Sequence, residues 1–193
     1  MSNYNHEILL KNGEKFLIRQ LSADDAPAMH DFAGALFSSS DAVITTPEEF
    51  QKRTVEDSKK RMLSNGDAFW FGLGAFARSD PSKIIGNIDM TTSARKKLKH
   101  VGQIGMGLLS PYRGIGLGTA LFQYLLKNVD RFPQIERIEL EVLASNHAGL
   151  ALYKKMGFVI EGTRRKAFKQ LDGRMEDSIV MSLLREDLWQ IKK

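Results

Sequence analysis

Residues 113–118 read Arg-Gly-Ile-Gly-Leu-Gly, and the hydrophobic pattern changes period across them. Before them, "HVGQIGMGLL" (100–109) alternates like a strand; after them, Leu117, Ala120, Leu121, Tyr124, Leu125 and Val129 recur at helical spacing and define one apolar face. A chain that leaves a strand for a helix through glycines at every second position can turn tightly. It also brings backbone close to a ligand, at a helix end that offers unpaired N–H groups and the positive end of a dipole. Arg113 adds a fixed cation at the mouth, which suits a pyrophosphate. Two phosphate-loop patterns are excluded. A P-loop ends in Gly-Lys-Ser/Thr, whereas Leu117-Gly118-Thr119 has no lysine. A dinucleotide fingerprint needs a third glycine where Thr119 or Leu121 stands, and an early βαβ unit that is absent. A plain strand-to-helix turn would use the same three glycines.

The flanking segments set the order of elements. "EKFLIRQLS" alternates as a first strand, and "SADDAPAMHDFAGALF" follows as a helix with Asp24 or Asp25 at its start. Thr46 and Pro47 open a second helix expected to run to about Asn65 and Gly66. From Ala68, "AFWFGLGAFA", "KIIGNIDMTT" and "HVGQIGMGLL" are strands joined by short polar turns, hence an antiparallel meander. The helix after the glycine loop leads to the strand "IERIELEVL", which makes one crossover with parallel ends. "NHAGLALYKKM" is a short helix capped by Gly157, and the segment from Phe158 to Leu184 is a hairpin turning at Asp172-Gly173. The expected fold is mixed α/β (α+β): a twisted, mostly antiparallel sheet of about seven strands with one parallel step, flanked by about four helices. Residues 1–193 are read as one domain, since no repeat, low-complexity tract or long linker interrupts the chain.

Composition narrows the chemistry. There is no cysteine, so no disulfide, thiolate metal site or cysteine nucleophile exists, and four scattered histidines lack ligand spacing; no metal is expected. No apolar run approaches a bilayer span and the N-terminus lacks signal-peptide regions, so a cytoplasmic protein without membrane contact is expected. The net charge of +5 suits an anionic ligand but does not choose between a nucleotide and a nucleic acid.

Arg113-Gly114-Ile115-Gly116-Leu117-Gly118 resembles the Arg/Gln-x-x-Gly-x-Gly/Ala signature of the GNAT superfamily of N-acetyltransferases, and "NHAGLALYKKMGF" (146–158), about 30 residues on, is similar to its second conserved stretch. The order of elements matches as well, strongly from about Ile84 to Leu184 and in outline before that. The resemblance implies that the loop, with Arg113, Gly114, Ile115, Gly116, Leu117, Gly118 and Thr119, holds the pyrophosphate of acetyl-coenzyme A. It implies that the backbone of Met106, Gly107 and Leu108 pairs with the pantetheine amides like an added strand. By the same resemblance Asn146 hydrogen-bonds the pantetheine arm and the Tyr153 hydroxyl protonates the departing sulfur. Asn146 and Tyr153 are seven apart, on one face of a helix, where both can point at one extended ligand.

Transfer of an acetyl group to an amine also needs a neutral nucleophile. Glu139 and Glu141 share a strand face leading toward Asn146, and either could take the amine's proton; Glu141 is preferred, and a solvated polar face is the competing account. The family reading implies a small-molecule primary amine as acceptor, such as an amino acid or a polyamine. A protein N-terminus, as in ribosomal protein acetylation, is the alternative, and a homodimer is possible in this family. The last hairpin offers Glu176 and Asp177 to a cationic amine and Arg164, Arg165 and Lys166 to a carboxylate. The basic clusters "ARKKLKH" (94–100) and "TRRKAFK" (163–169) raise a different class, a nucleic-acid or ribosome-binding module without catalysis. Nucleic acid is not expected, because the first cluster has no interleaved aromatics for stacking.

Overall fold

The computed structural model describes residues 6–10, 13–39, 43–63 and 68–191, with side chains as far as Leu188. In chain order the elements are β1 (His6–Leu9), β2 (Lys15–Gln20), α1 (Ala26–Ser38), α2 (Pro47–Phe50), α3 (Val55–Met62), β3 (Trp70–Ala77), β4 (Asp80–Thr92), β5 (Val101–Leu108), α4 (Leu117–Asn128), β6 (Arg137–Leu143), α5 (His147–Lys155), β7 (Val159–Lys169), β8 (Met175–Leu184) and α6 (Arg185–Ile191). The strands form one sheet in the order β1-β2-β3-β4-β5-β6-β8-β7. Every neighbouring pair is antiparallel except β5 and β6, which are the ends of the crossover through α4.

The fold is the mixed α/β arrangement expected, with additions at both ends. An eighth strand, β1, pairs with β2; its four residues sit among polar ones and carry little alternation. α6 follows β8, where only a hairpin was expected. The second helix is two. Thr46 and Thr54 each accept a hydrogen bond from the N–H three residues on, and Glu49 and Asp57 answer to the cap's own N–H. Two capping boxes start two helices, which breaks the run at Gln51. Residues 64–67, where that helix was expected to end, lie outside the described residues.

Two faces of the sheet are covered by different layers. Leu117, Leu121, Phe122, Leu125 and Leu126 of α4 pack on Phe71, Leu73, Ile88 and Met90, all buried. Alternation along the strands sends their neighbours to the other face. There Trp70 and Phe76 meet Phe32 and Leu36 of α1. Each such side chain contributes about 1.5–3 kcal/mol when fully buried.

Candidate active site at the gap between β5 and β6

β5 and β6 pair only at Val101–Gln103 with Arg137–Glu139. Beyond that, β5 stays with β4 as far as Leu108 and β6 stays with β8 as far as Leu143, so the two strands part. The Leu109 N–H bonds to the Ile85 carbonyl at 3.0 Å, and the register of β4 with β5 continues that pairing at every second residue. In an antiparallel ladder the residues between turn their N–H and C=O groups the other way. Ile104, Met106 and Leu108 thus present backbone to the gap. Gly107, expected to do the same, turns its own groups toward Asn87 of β4. A Cβ there would stand 2.5 Å from Leu36 Cδ2, so the glycine lets α1 approach the sheet. The Leu108 carbonyl accepts a hydrogen bond from Arg113 Nε at 3.0 Å, which ties the loop's cation to the strand end.

The loop delivers α4 to the mouth of this gap. Gly114 and Gly116 have φ of +77° and +94°, and Gly116 is the N-cap of α4. The first intrahelical bond runs from the Ala120 N–H to the Gly116 carbonyl at 3.1 Å, which leaves the N–H groups of Leu117, Gly118 and Thr119 without a carbonyl one turn back. Gly118 serves packing. A Cβ there would be 3.1 Å from Met106 Cε and 3.3 Å from Leu108 Cδ1 and Leu152 Cδ2, where α4, β5 and α5 converge. Ile115 and Leu117 anchor the loop to the core beneath. Among the described residues nothing lies within 4 Å of a Cβ built at Gly114, and only Leu10 comes that near one at Gly116. The loop is an open cradle of donors at a helix N-terminus, and it fits a pyrophosphate.

α5 forms the other wall. Asn146 is its N-cap, with a side-chain oxygen that accepts from the Gly149 N–H at 2.9 Å. That oxygen is committed to the helix, and the amide NH2 is what remains for a ligand. Tyr153 packs its ring against Phe122 and Phe158 at centroid distances of 5.8 and 6.3 Å, and no described residue hydrogen-bonds its hydroxyl. Burial pushes the phenol's pKa up, so the hydroxyl is neutral at neutral pH.

A cleft of about 760 Å³ opens where the two strands part and reaches α5. It is lined by Ile104 to Gly107 of β5, Leu140 to Leu143 of β6, Asn146 and Tyr153, and it runs on beneath α1, α2 and α3. Glu141 lines it too, with both carboxylate oxygens 2.8 Å from Arg164 Nη1 and a further hydrogen bond from the Ser178 hydroxyl. Glu139 is bonded to Gln103 and Arg137 instead, nearer the point where the strands still pair.

Sequence reasoning missed three residues of this cleft. Asp89 is buried, at 3% exposure, on the same sheet face as Gly105. Its Oδ2 accepts from Arg61 Nη2 and from Trp70 Nε1, both at 2.6 Å. Burial pushes the Asp89 carboxyl up, while the Arg61 charge and the Trp70 N–H pull against that. The signal was present in "GNIDM": Asn87 and Asp89 are polar residues at alternate positions of an otherwise apolar strand, and both are buried. Among the described residues no cluster of His, Asp and Glu could hold a metal ion, and no helix is long and apolar enough to cross a membrane.

The comparisons with known proteins agree with this geometry. An L-amino acid N-acetyltransferase from Escherichia coli K12 is 31% identical over 83 residues, 43% of this chain and 51% of its own length. An Escherichia coli alanine N-acetyltransferase of ribosomal protein bS18 is 40% identical over 72 residues, 37% of this chain and 47% of its own. The chain thus spans about half the length of these curated relatives. A GNAT-family acetyltransferase structure from Streptococcus pneumoniae superposes with a TM-score of 0.79 at 26% identity, covering 88% of this chain and 99% of that one. Residues 37–158, well over half of the chain and all of the gap, loop and α5, match the model of the Acetyltransferase (GNAT) family, and the chain belongs to that family.

Proposed function

We propose that this chain transfers the acetyl group of acetyl-coenzyme A to the primary amine of a small molecule, directly, in a ternary complex. One observation carries the reading: β5 and β6 part beyond Gln103 and Glu139, the donor end of α4 follows the end of β5, and the cleft between the strands reaches the half-buried Tyr153. A long ligand with an anionic head and a reactive thioester tail has that shape. Family membership supports the same cofactor.

The chain's residues divide the work. Gly114, Gly116 and the N–H groups of Leu117, Gly118 and Thr119 receive the pyrophosphate, with Arg113 beside them. Met106 and Leu108 offer backbone groups to the pantetheine amides, and the Asn146 amide reaches the arm from the far wall. Acetyl-coenzyme A supplies an activated acyl carbon. Glu141, on the acceptor side, accepts the proton of the attacking amine directly or through a water. Tyr153 returns a proton to the departing thiolate. No acyl-cysteine can form, since the chain has no cysteine.

The test is a panel of amines, amino acids and peptides scored by release of free coenzyme A thiol. With a substrate in hand, Tyr153→Phe removes the donor and little else. It should lower kcat by about 10²–10⁴-fold while leaving acetyl-coenzyme A affinity within a small factor. Undiminished turnover would strip Tyr153 of the role. The similarity to the bS18 alanine acetyltransferase favours a second reading, a protein N-terminus as acceptor. Turnover of peptides alone, with free amines untouched, would establish it.

A further inference from the structure

Which acceptor fits can be taken further, on the footing that the cleft is the site of acetyl transfer. Three carboxylates line it, each already has donors, and Glu141 is the one assigned to the amine's proton. Asp57 accepts from the Thr54 N–H and hydroxyl at 2.8 Å in a capping box. Glu141 is held by Arg164 and Ser178. Asp89 is held by Arg61 and Trp70. The two guanidiniums on the α3 side are not used up. Among the described residues Arg61 bonds to Asp89 alone, through Nη2, and 57% of its side chain is exposed. Arg53 makes one long hydrogen bond among the described residues, 3.4 Å to the Thr45 hydroxyl, and its charge also acts on Asp57.

Arg61 is therefore a cation fixed from below by a buried carboxylate, with the rest of its donor fork exposed beside the cleft. Such an arrangement is preorganised for a planar anion, because the ordering of a long side chain is already done. The walls around it carry aromatic rings, Phe32 and Phe50 from the helices, Trp70 from β3 and Phe168 from the last hairpin, beside the polar Thr45, Ser58 and Asn87. We infer that Arg61, held by Asp89 and Trp70, anchors an acidic group of the acceptor, and that the acceptor is a primary amine bearing a carboxylate on an apolar, aromatic-sized body.

A matched pair tests this: phenylalanine against phenethylamine, with phenylalaninamide standing in for a peptide N-terminus. The pair shares the amine and the ring and differs in the carboxylate. Equilibrium binding by calorimetry to the wild-type chain, with coenzyme A present, should favour phenylalanine by at least tenfold, and kcat/KM should follow. In Arg61→Met that preference ratio should fall about tenfold or more, carried by KM rather than kcat. Arg61→Lys keeps a cation against Asp89 without the planar fork. It should lose part of the preference, and it stands in if the methionine variant fails to fold. Equal binding of the three compounds by the wild type overturns the anchor. So does an equal loss on both members of the pair in the Arg61 variants, the mark of a merely structural pair. If phenylalanine binds with the predicted preference and no compound releases coenzyme A thiol, the transfer reading fails and the anchor stands.

Discussion

A methyl group added to the glycine loop separates a turn from a phosphate site. Gly116 sits at φ +94° and Gly114 at +77°, and among the described residues a Cβ at either meets nothing nearer than Leu10, at 3.8 Å from one at Gly116. Steric clash therefore adds nothing to the folding cost of Gly116→Ala. What remains is the left-handed backbone, roughly 1–2 kcal/mol for a residue with a Cβ. The restricted unfolded chain offsets about 0.4–1 kcal/mol of that. A net loss of about 0.5–1 kcal/mol lowers Tm by roughly 1–4 °C in a chain of this size. Gly173→Ala, at φ +86° in the turn between β7 and β8 with equally open space, is the control and should cost the same. Ligand binding divides them. At position 116 the methyl stands at the open end of α4, beside the N–H groups of residues 117–119. Loss of one charge-assisted hydrogen bond there is worth about 1.5–3 kcal/mol, or roughly 10- to 150-fold in Kd. Calorimetry with acetyl-coenzyme A on both variants, beside thermal melts, reads the two effects separately. If Gly116→Ala melts lower but binds as tightly as Gly173→Ala, the loop is only a turn and the pyrophosphate lies elsewhere.

Two further outcomes concern the last hairpin. Arg137 donates to Glu161 through both terminal nitrogens, one of them at 2.7 Å, and Ser182 adds a bond at 2.7 Å; the Arg137 hydrogen bonds, then Ser182, hold the Glu161 carboxyl down to about 2. A depressed folded pKa means stability that is present above the ordinary value of 4.5 and lost as pH falls from there toward 2. Because the Glu161 side chain is 39% exposed, the effect at neutral pH is at most about 1 kcal/mol. Urea melts of Glu161→Gln should show that deficit at pH 7 and none near pH 2; an equal deficit at both would refute the pairing. Lys166 has φ +52° at the irregularity between Arg164 and Phe168, where its N–H bonds to Asp177 at 2.7 Å. Lys166→Gly relieves that strain and should raise stability by up to about 1 kcal/mol, while a lower Tm would show that the lysine's conformation costs nothing.

The two halves of the cleft differ in how they are written in the chain. In the proposed reading the cofactor half uses backbone: N–H groups at a helix start, the free edge of a strand, a close approach of α4 to β5. Backbone recognition demands glycines at fixed spacing, so it leaves a contiguous mark, and residues 113–118 with 146–158 show it. Even there the match was not residue for residue. Gly107 lies one step out of phase with the ladder groups that face the gap, because side of sheet and side of strand alternate together. Asn146 caps its own helix, a use that sequence spacing does not distinguish from a ligand contact. In the same reading the acceptor half uses side chains gathered from distant segments. Arg61 sits on a helix that exists only because Thr54 restarts it, Asp89 lies 28 residues further on, and Glu141 comes from the strand after the crossover. Each looks ordinary in its own window: an arginine among helix lysines, an acid in a strand, a glutamate on a polar face. Only register makes them neighbours. Asp89 becomes informative once β4 is known to place it over Gly105 with Trp70 alongside, since a buried carboxylate persists only where donors meet it. A cofactor read by backbone can thus be recognised from a dozen residues, whereas an acceptor read by side chains becomes legible only when the sheet is assembled. Exchanging Arg61 should accordingly change which amine is chosen, while exchanging Gly116 should change whether acetyl-coenzyme A is held at all.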